Sequence, residues 1–324
     1  MAAPILIVGQ GLAGTLLAWE LEQARMAFEI VDAGHALSSS RVAAGIVNPI
    51  TGRRLVESWR VRELRPLAAE SYRRLETELG VKLWHEMRVR RRFADERERQ
   101  VFDEKRARGE LAPWAGPADE DGFWIEGAAR VNLRRLLETA RKRWITSGQL
   151  REGRLDWRTD MVSRDCVIDC TGRATAEFGF VPWERSRGEV LLVETEGLAP
   201  DVIVNRRHWV CPLEDGRALV GATHETGCDR AETTAAARIQ LERSAADLLA
   251  RPFVVRDHWA GVRVHLPDRH PVVGRHPSNP SLGVFNGLGS KGVLLATWLA
   301  RQWVEHLRTG AEFDASVDCR RFGS

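Results

Sequence analysis

Short apolar runs and helical spacing alternate near both ends of the chain. "ILIV" (residues 5–8) and "FEIVD" (28–32) are continuous apolar runs, which are typical of strands buried on both faces of a parallel sheet. The residues between them have the apolar spacing of a helix. Towards the other end, the run "LGVF" (282–285) precedes the helical pattern "VLLATWLARQWVEHL" (293–307). The pattern therefore predicts a strand, a turn and a helix at each end.

The middle of the chain has a different pattern. Helical spacing recurs at 60–79 and 129–144, and "DCVIDCTG" (165–172) indicates another strand that ends in a turn. From about residue 180 to residue 258 the segments are shorter and alternate, which is typical of an antiparallel sheet with one helix in it. We therefore predict an α/β fold in which a Rossmann-like domain is assembled from discontinuous segments. An α+β domain built on an antiparallel sheet is inserted between them.

The same pattern divides the chain into two predicted domains. Its 324 residues exceed what one hydrophobic core usually organises, which favours two domains. The predicted nucleotide-binding domain has residues 1–80, 126–178 and 258–324, and the predicted substrate domain has 81–125 and 179–257.

Composition narrows the classes of function. A net charge of +3 tolerates acidic small molecules and argues against nucleic acid as a partner. The five cysteines form no CxxC pair, which indicates reduced thiols in a cytoplasmic protein. The histidines lack the spacing of a metal site, so we expect no metal. No basic leader precedes the first strand, and no apolar stretch reaches the roughly 20 residues that span a membrane.

The first turn has the spacing of a dinucleotide site. Gly9, Gly11 and Gly14 form GxGxxG directly after the first strand, and Asp32 ends the second strand. In such a motif the glycines allow a tight turn, close approach of a pyrophosphate and close helix packing. The acidic residue accepts hydrogen bonds from ribose hydroxyls and disfavours the 2′-phosphate of NADP. The motif alone does not distinguish NAD from FAD, and an unliganded glycine turn is the alternative.

A second glycine turn, "NGLGSKGV" (286–293), follows the run "LGVF" and opens the last predicted helix. A helix start of this kind presents free N–H groups and a partial positive charge to an anion. An ordinary helix cap would have a similar sequence.

Eight segments together resemble the D-amino-acid oxidase-like family of FAD-dependent oxidoreductases, which includes glycine oxidase and sarcosine oxidase. In chain order they are "IVGQGLAG", "VDAG", "SRVAAGI", "VIDCTG", "RGEVLLVE", "HWVCPLEDGRALVGATHE", "WAGVRVHLPDRHPVVGRHP" and "NGLGSKGVLLA". The resemblance implies that the first turn binds the pyrophosphate of FAD and the second wraps the isoalloxazine of the same FAD. It also implies oxidation of a C–N bond by hydride transfer to flavin N5.

The resemblance assigns FAD contacts residue by residue. Besides the four residues of the first motif, the implied contacts are Leu12, Ala13, Arg41, Ala43, Ala44, Gly45, Thr171, Gly172, Gly287, Leu288, Gly289, Ser290, Gly292 and Val293. Relatives with covalent flavin have a cysteine where this chain has Gly261, so the FAD is expected to be non-covalent.

The substrate side is also implied by the resemblance. Arg263 aligns with an arginine that binds a substrate carboxylate, and Lys291 aligns with a lysine of similar role. A structural ion pair and a solvated lysine are the respective alternatives. The remaining pocket residues that we predict are Ile46, Asn48, Arg53, Arg54, Trp209 and His224. Trp209 replaces a substrate-binding tyrosine, and Arg53 and Arg54 have a solvated surface pair as their alternative.

Besides the favoured function, three alternative functions stay open from the sequence. The favoured interpretation is oxidation of a small amino acid or N-substituted amino acid, with oxygen or another electron acceptor. A related flavoprotein oxidises a carboxymethylamino group on tRNA. An NAD-dependent dehydrogenase and a non-catalytic flavin-binding protein are the alternatives from other classes.

Overall fold

The structure is a computed structural model that describes residues 4–34, 38–155, 165–173 and 176–323. The α-helices in this part of the chain are α1 (Leu12–Gln23), α2 (Ser39–Val42), α3 (Val61–Leu79), α4 (Glu96–Ala107), α5 (Leu133–Thr146), α6 (Ala235–Leu249) and α7 (Gly292–Thr309). The strands are β1 (Ile5–Val8), β2 (Phe28–Asp32), β3 (Ile46–Val47), β4 (Ile50–Thr51), β5 (Val56–Glu57), β6 (Trp84–Arg92), β7 (Ala115–Ala118), β8 (Gly122–Val131), β9 (Leu150–Glu152), β10 (Val167–Asp169), β11 (Glu184–Glu194), β12 (Val202–Asn205), β13 (Trp209–Pro212), β14 (Arg217–Gly221), β15 (Glu225–Thr226), β16 (Val254–His265), β17 (Val272–His276) and β18 (Asn279–Asn286).

A six-stranded sheet organises the two ends of the chain, in the order β17-β18-β10-β1-β2-β9. All of its pairs are parallel except β17 with β18. Because β1, β2, β10 and β18 run in the same direction, their carboxyl ends meet at one edge of the sheet. In open α/β sheets the ligand binds at this edge. Both glycine turns and Asp32 therefore belong to the same side of the molecule.

Helices α1 and α7 pack on this sheet, and α3 packs against α7. The side chains of these helices that are fully buried include Leu16, Leu17, Tyr72 and Trp303. The hydroxyl of Tyr72 donates to the carbonyl of Val293 at 3.2 Å, so the first turn of α7 is tied to α3. Full burial of a large side chain contributes roughly 1.5 to 3 kcal/mol, which makes this layer the main apolar core.

The second sheet follows the order β15-β11-β14-β13-β12-β6-β8-β3. In addition, β16 pairs with β11, and β7 pairs with β8. Its pairs are antiparallel except β12 with β6, which is parallel. Helix α6 packs on one face through Leu241 and Ala245, which lie against Leu191 and Val193 of β11. The opposite face of β11 carries Gly188 and Val190 and is turned towards the site described below.

The α/β fold predicted from the sequence is confirmed, but one predicted helix begins later than expected. Residues 129–131 belong to β8, where Ala129 and Val131 pair with β6 and are fully buried. Asn132 then caps α5, its side chain accepting the backbone N–H of Arg135. An asparagine favours this position because its oxygen satisfies a free N–H of the first turn.

The division into domains remains a proposal. Strand β16, which contains the predicted boundary at residue 258, pairs with β11 along the second sheet from Val254 to His265. In the described ranges, no helix is both long and apolar enough for a transmembrane span.

Candidate cofactor and active site

The first glycine turn packs α1 tightly on β1. Gly9 has φ +100°, and a β-carbon there would lie 2.8 Å from the carbonyl oxygen of Cys170. A β-carbon at Gly14 would collide with the carbonyl of Gly9. At Gly11, by contrast, the nearest atom to a β-carbon would be the Ser40 hydroxyl at 3.4 Å. Two of the glycines therefore serve packing, and Gly11 faces open space.

The N-terminus of α1 meets the short helix α2. The backbone N–H of Leu12 donates to Oγ of Ser40 at 3.1 Å, while Leu12 and Ala13 themselves are buried. The first N–H groups of a helix have no partner within it, and a polar group from outside can satisfy them. Ser40 thus marks the place where an anionic group would meet the helix N-terminus.

Asp32 ends β2 beside this turn and is 8% exposed. Its Oδ2 accepts the N–H of Gln10 at 2.8 Å, and its Oδ1 accepts the N–H of Gly34 at 3.0 Å. Nη1 of Arg141, from α5, donates to the same Oδ1 at 2.9 Å. The carboxylate is therefore fixed in place by three donors, one of them charged.

The segment that follows α2 lines the gap between the two sheets. Arg41 forms an ion pair with Glu138 at 2.7 Å, so its guanidinium is directed at α5. Ala43 is exposed and Ala44 is buried. Gly45 is also buried, and a β-carbon there would collide with the carbonyl oxygen of Val131. The carbonyl of Gly45 accepts the N–H of Val131 at 2.9 Å.

The turn after β10 lies next to the first glycine turn. Thr171 donates its N–H to Oδ1 of Asp169 at 2.8 Å, and Gly172 has φ +65° and is exposed. Burial raises the pKa of the neighbouring Cys170 thiol well above its usual range, so this cysteine stays protonated.

The second glycine turn continues β18 into α7 and touches the first. Gly287 and Gly289 have φ +73° and +53°, and the N–H of Gly289 donates to the carbonyl of Val264 at 3.1 Å. A β-carbon at Gly292 would lie 3.2 Å from Cδ2 of Leu12. Leu288 is half-buried and Ser290 is exposed. The two glycine turns, far apart in sequence, thus lie in contact with each other.

Lys291 lies at the start of α7. Its Nζ donates to Oγ of Ser58 at 2.7 Å and to Oγ1 of Thr51 at 3.1 Å, and no described carboxylate forms an ion pair with it. Burial lowers the pKa of Lys291 to about 8. Ser58 in turn donates to the carbonyl of Asn48 at 2.6 Å, which ties the lysine to the β4–β5 hairpin.

Arg263 lies on β16 with its guanidinium across Gly188 of β11. A β-carbon at Gly188 would collide with Nη2 of Arg263 and would lie 3.1 Å from the carbonyl oxygen of Thr223. Burial lowers the pKa of Arg263, and no other charge contributes to the shift. Among the described residues, neither an ion pair nor a hydrogen bond of its guanidinium is observed. Arg263 is thus a half-buried cation without a described counter-ion.

Trp209 and His224 lie near Arg263. The Trp209 ring lies against Gly221, where a β-carbon would be 2.9 Å from Cζ2, and Gly221 pairs with Val190 of β11. Val190 and Gly188 are two residues, or about 7 Å, apart along β11, so the Trp209 ring and the Arg263 guanidinium lie over neighbouring parts of this strand. His224 is exposed, and its pKa is lowered, first by partial desolvation and then by the charge of Arg263. Ile46 is half-buried on β3 beside this face.

The basic residues of the β4–β5 hairpin lie farther out. The side chain of Arg53 is 69% exposed and pairs with Asp95 at 2.5 Å. Arg54 is also exposed. Asn48 is half-buried, and its Oδ1 accepts the N–H of Ile50 at 3.2 Å. Their predicted role as pocket residues stays a prediction, with the two arginines at the outer rim.

A family model, DAO, described as FAD dependent oxidoreductase, matches residues 4–306. The chain belongs to this family. The family predicted from eight sequence segments is therefore confirmed.

One curated relative matches nearly the whole chain. The tRNA 5-methylaminomethyl-2-thiouridine biosynthesis bifunctional protein MnmC of Maricaulis maris is 28% identical over 326 residues, covering 95% of this chain and 52% of that protein. The chain thus spans about half the length of this curated relative.

Solved structures show the shared DAO fold. Glycine oxidase from Geobacillus kaustophilus superimposes with a TM-score of 0.78 at 20% identity, covering 98% of this chain and 97% of that one. Iminodiacetate oxidase from Chelativorans sp. gives a TM-score of 0.74 at 21% identity, covering 96% of each chain.

The described residues fit the FAD of the DAO family. Gly11 faces open space at the N-terminus of α1, where a pyrophosphate gains from the helix dipole and free N–H groups. Asp32 is a charged acceptor at the end of β2, and Lys291 is a cation at the start of α7. Reduction of a flavin adds negative charge near its pyrimidine edge, which a helix N-terminus stabilises. The individual contacts stay predictions.

Sequence reasoning missed Ser40 and Arg141 in this DAO site. Ser40 lies in a run of three serines before Arg41, and only the fold brings its hydroxyl to Leu12. Arg141 is one of several basic residues on an amphipathic helix, and nothing in its local sequence separates it from Lys142 or Arg143. Both contacts join elements that are distant along the chain.

Proposed function

We propose that this protein oxidises the C–N bond of a small carboxylated amine, an amino acid or an N-substituted amino acid. The carrying observation is Arg263, a half-buried guanidinium that has no described counter-ion. A buried charge is costly unless it is paired, and a substrate carboxylate can supply the missing partner.

The chemistry of the guanidinium supports a carboxylate in particular. Its planar N–H groups form two parallel hydrogen bonds with a carboxylate, which gives orientation as well as affinity. Glycine at position 188 leaves the space that the guanidinium occupies. The alternative of a structural ion pair finds no support among the described residues.

Two other residues of the proposed pocket, Trp209 and His224, favour uncharged forms near neutral pH. Trp209 offers a flat apolar surface, and the lowered pKa of His224 favours its neutral form. An amine must lose its proton before its lone pair can assist loss of hydride from carbon. A neutral histidine beside Arg263 is compatible with acceptance of that proton.

Bound FAD supplies the two-electron acceptor. The chain's own residues would hold the carboxylate at Arg263 and so fix the distance of the reacting carbon, a contribution of orientation. As hydride leaves the carbon, the nitrogen lone pair would form the C=N bond. Loss of the N–H proton would then leave an imine, which water hydrolyses. Oxygen or another electron acceptor completes the cycle.

The test is anaerobic reduction of the yellow holoenzyme by a panel of compounds. Glycine, sarcosine, D-alanine and iminodiacetate should bleach the visible flavin absorbance at different rates, and their decarboxylated counterparts, such as methylamine and dimethylamine, should not. Bleaching by the amines that lack a carboxylate would contradict the role of Arg263. If none of these compounds bleaches the flavin although dithionite does, the result would support a non-catalytic flavin-binding protein.

A second candidate is a carboxymethylamino group carried on tRNA. The 28% identity to the MnmC protein over nearly the whole chain favours it, and the net charge of +3 argues against a nucleic-acid partner. Both candidates present a carboxylate next to an amine, so both suit Arg263. Comparing kcat/KM for modified tRNA with kcat/KM for free N-substituted glycines separates them. A preference of more than tenfold for tRNA, lost with added salt, would favour the second.

A further inference from the structure

The carboxylate of Asp32 is held by a network that reaches across three elements. Arg141 of α5 donates from Nη1 to Asp32 at 2.9 Å and to Oε1 of Gln10 at 3.1 Å, and from Nη2 to Glu152 of β9 at 2.6 Å. The side chains of Arg141 and Asp32 are 12% and 10% exposed. This is an enclosed pair, so its charges are screened less than those of a surface ion pair.

Gln10 fixes the other side of the network. It is 0% exposed, and its Nε2 donates to the carbonyl of Leu137 at 3.1 Å and to Oγ1 of Thr15 at 3.2 Å. Its Oε1 is thereby directed at Arg141. Gln10 thus ties the glycine turn to α5 and holds the guanidinium beside Asp32.

The acceptor positions of Asp32 can be counted. A carboxylate has about four lone-pair sites on its two oxygens. Gly34 and Arg141 use two on Oδ1, and the N–H of Gln10 uses one on Oδ2. Among the contacts of the described residues, one site, on Oδ2, is left for a ribose hydroxyl.

We propose that Arg141 is a positioning residue for FAD, because it holds Asp32 so that the remaining acceptor site on Oδ2 is available to the adenosine ribose. Arg141 acts through Asp32 and not by its own contact with the cofactor. The proposal concerns cofactor affinity and is independent of the substrate.

The test uses apoprotein prepared from the FAD-loaded enzyme. Dissociation constants for FAD and for ADP are measured by calorimetry for wild type, Arg141→Met and Arg141→Lys, with circular dichroism to verify folding. Arg141→Met should weaken FAD and ADP by the same factor, about 10- to 100-fold, which corresponds to a charge-assisted hydrogen bond. Arg141→Lys keeps the charge but loses the fork and should recover part of the affinity. Arg143→Met is the matched control and should bind as wild type, since Arg143 lies on the same helix as Arg141 but pairs with Glu22 of α1.

A double-mutant cycle with Asp32→Ala decides whether Arg141 acts through Asp32. In the Asp32→Ala background, Arg141→Met should change the dissociation constant for ADP less than twofold. Wild-type affinity in Arg141→Met overturns the proposal. Additive losses in the double mutant also overturn it, because Arg141 would then act without Asp32. If Arg141→Met is unfolded, the folded Arg141→Lys variant takes its place in the cycle.

Discussion

Arg263 depends on glycine at position 188 for its place. Arg263→Met should lower kcat/KM for the carboxylated substrate by about one to two orders of magnitude, since a charge-assisted hydrogen bond contributes roughly 1.5 to 3 kcal/mol. The loss should appear mainly in KM if the contact is equal in ground and transition states. Steady-state kinetics and the response of the flavin spectrum to acetate measure both effects.

Two variants sharpen that experiment. Gly188→Ala should reproduce part of the loss, because its β-carbon would collide with the guanidinium without removing its charge. Arg256→Met is the control, as Arg256 lies on the same strand in an exposed ion pair with Glu194. An Arg263→Met enzyme with unchanged KM and acetate response would remove the main support for a carboxylated substrate.

Lys291 gives a prediction about pH. Burial lowers its pKa from 10.5 to about 8, so between these values the unfolded chain binds a proton that the folded apoprotein does not. The contribution of this residue to the free energy of unfolding should therefore rise with pH from about 8 to 10.5. Below pH 8 both states are protonated, and the folded state bears the full desolvation cost.

Chemical denaturation of the apoprotein across this range checks the sign. Lys291→Met should lack the rise seen in wild type, while Lys142→Met, a change at an exposed position of α5, should keep it. Identical pH profiles for wild type and Lys291→Met would show that Lys291 titrates at its ordinary pKa.

At the residue scale the sequence locates the site but not the partners. Spacing alone places Asp32 at the end of a strand and the glycines in turns, because both motifs are local. The partners Ser40 and Arg141 come from elements 28 and 109 positions away along the chain. The exposure of Arg53 and its ion pair with Asp95 are equally non-local.

The glycines of the first turn separate into two groups when whole elements are considered. Gly14→Ala should destabilise the apoprotein by about 1 to 3 kcal/mol, because its β-carbon would push α1 away from Gly9. Gly11→Ala should leave apoprotein stability nearly unchanged, since 3.4 Å separates a β-carbon from Ser40.

Gly11→Val should nevertheless abolish FAD binding, because the added methyl groups would fill the space proposed for the pyrophosphate. Thermal denaturation of apoprotein and FAD titration, compared across the three variants, separate packing from binding. Wild-type FAD affinity in Gly11→Val would show that the first turn has been assigned the wrong role.

Element types follow well from the apolar pattern, and element boundaries less well. Residues 129–131 have helical spacing together with the segment that follows, yet they form the end of β8. Pairing with β6 buries Ala129 and Val131, and this tertiary gain outweighs the local preference.

On the scale of the whole molecule, FAD should stabilise both sheets together, because the proposed site includes residues of each. FAD at 100 times its dissociation constant should add about 2.7 kcal/mol to the free energy of unfolding. Heat or acid should then release all flavin into the supernatant as FAD, in line with Gly261 at the position of the tethering cysteine. Flavin that stays with the precipitated protein would contradict a non-covalent cofactor.

The order of strands in the sheets could not be read from the sequence. Apolar runs predict strands, but they do not say that β1 pairs with β10 or that β10 pairs with β18. Nor does the alternating pattern of the second sheet reveal the parallel pairing of β12 with β6. These pairings follow from packing of the complete chain.

The contact between Leu12 and Gly292 has a consequence for folding while the protein is synthesised on the ribosome. At about 5 to 20 residues per second, the roughly 280 residues between them take about 14 to 56 s to synthesise. Throughout that time the six-stranded sheet around β1 is incomplete, and the first glycine turn has no contact with the second. The nascent chain must therefore keep an apolar strand from aggregating before any cofactor can bind, so folding yield in the cell should depend on chaperones more than on the supply of FAD.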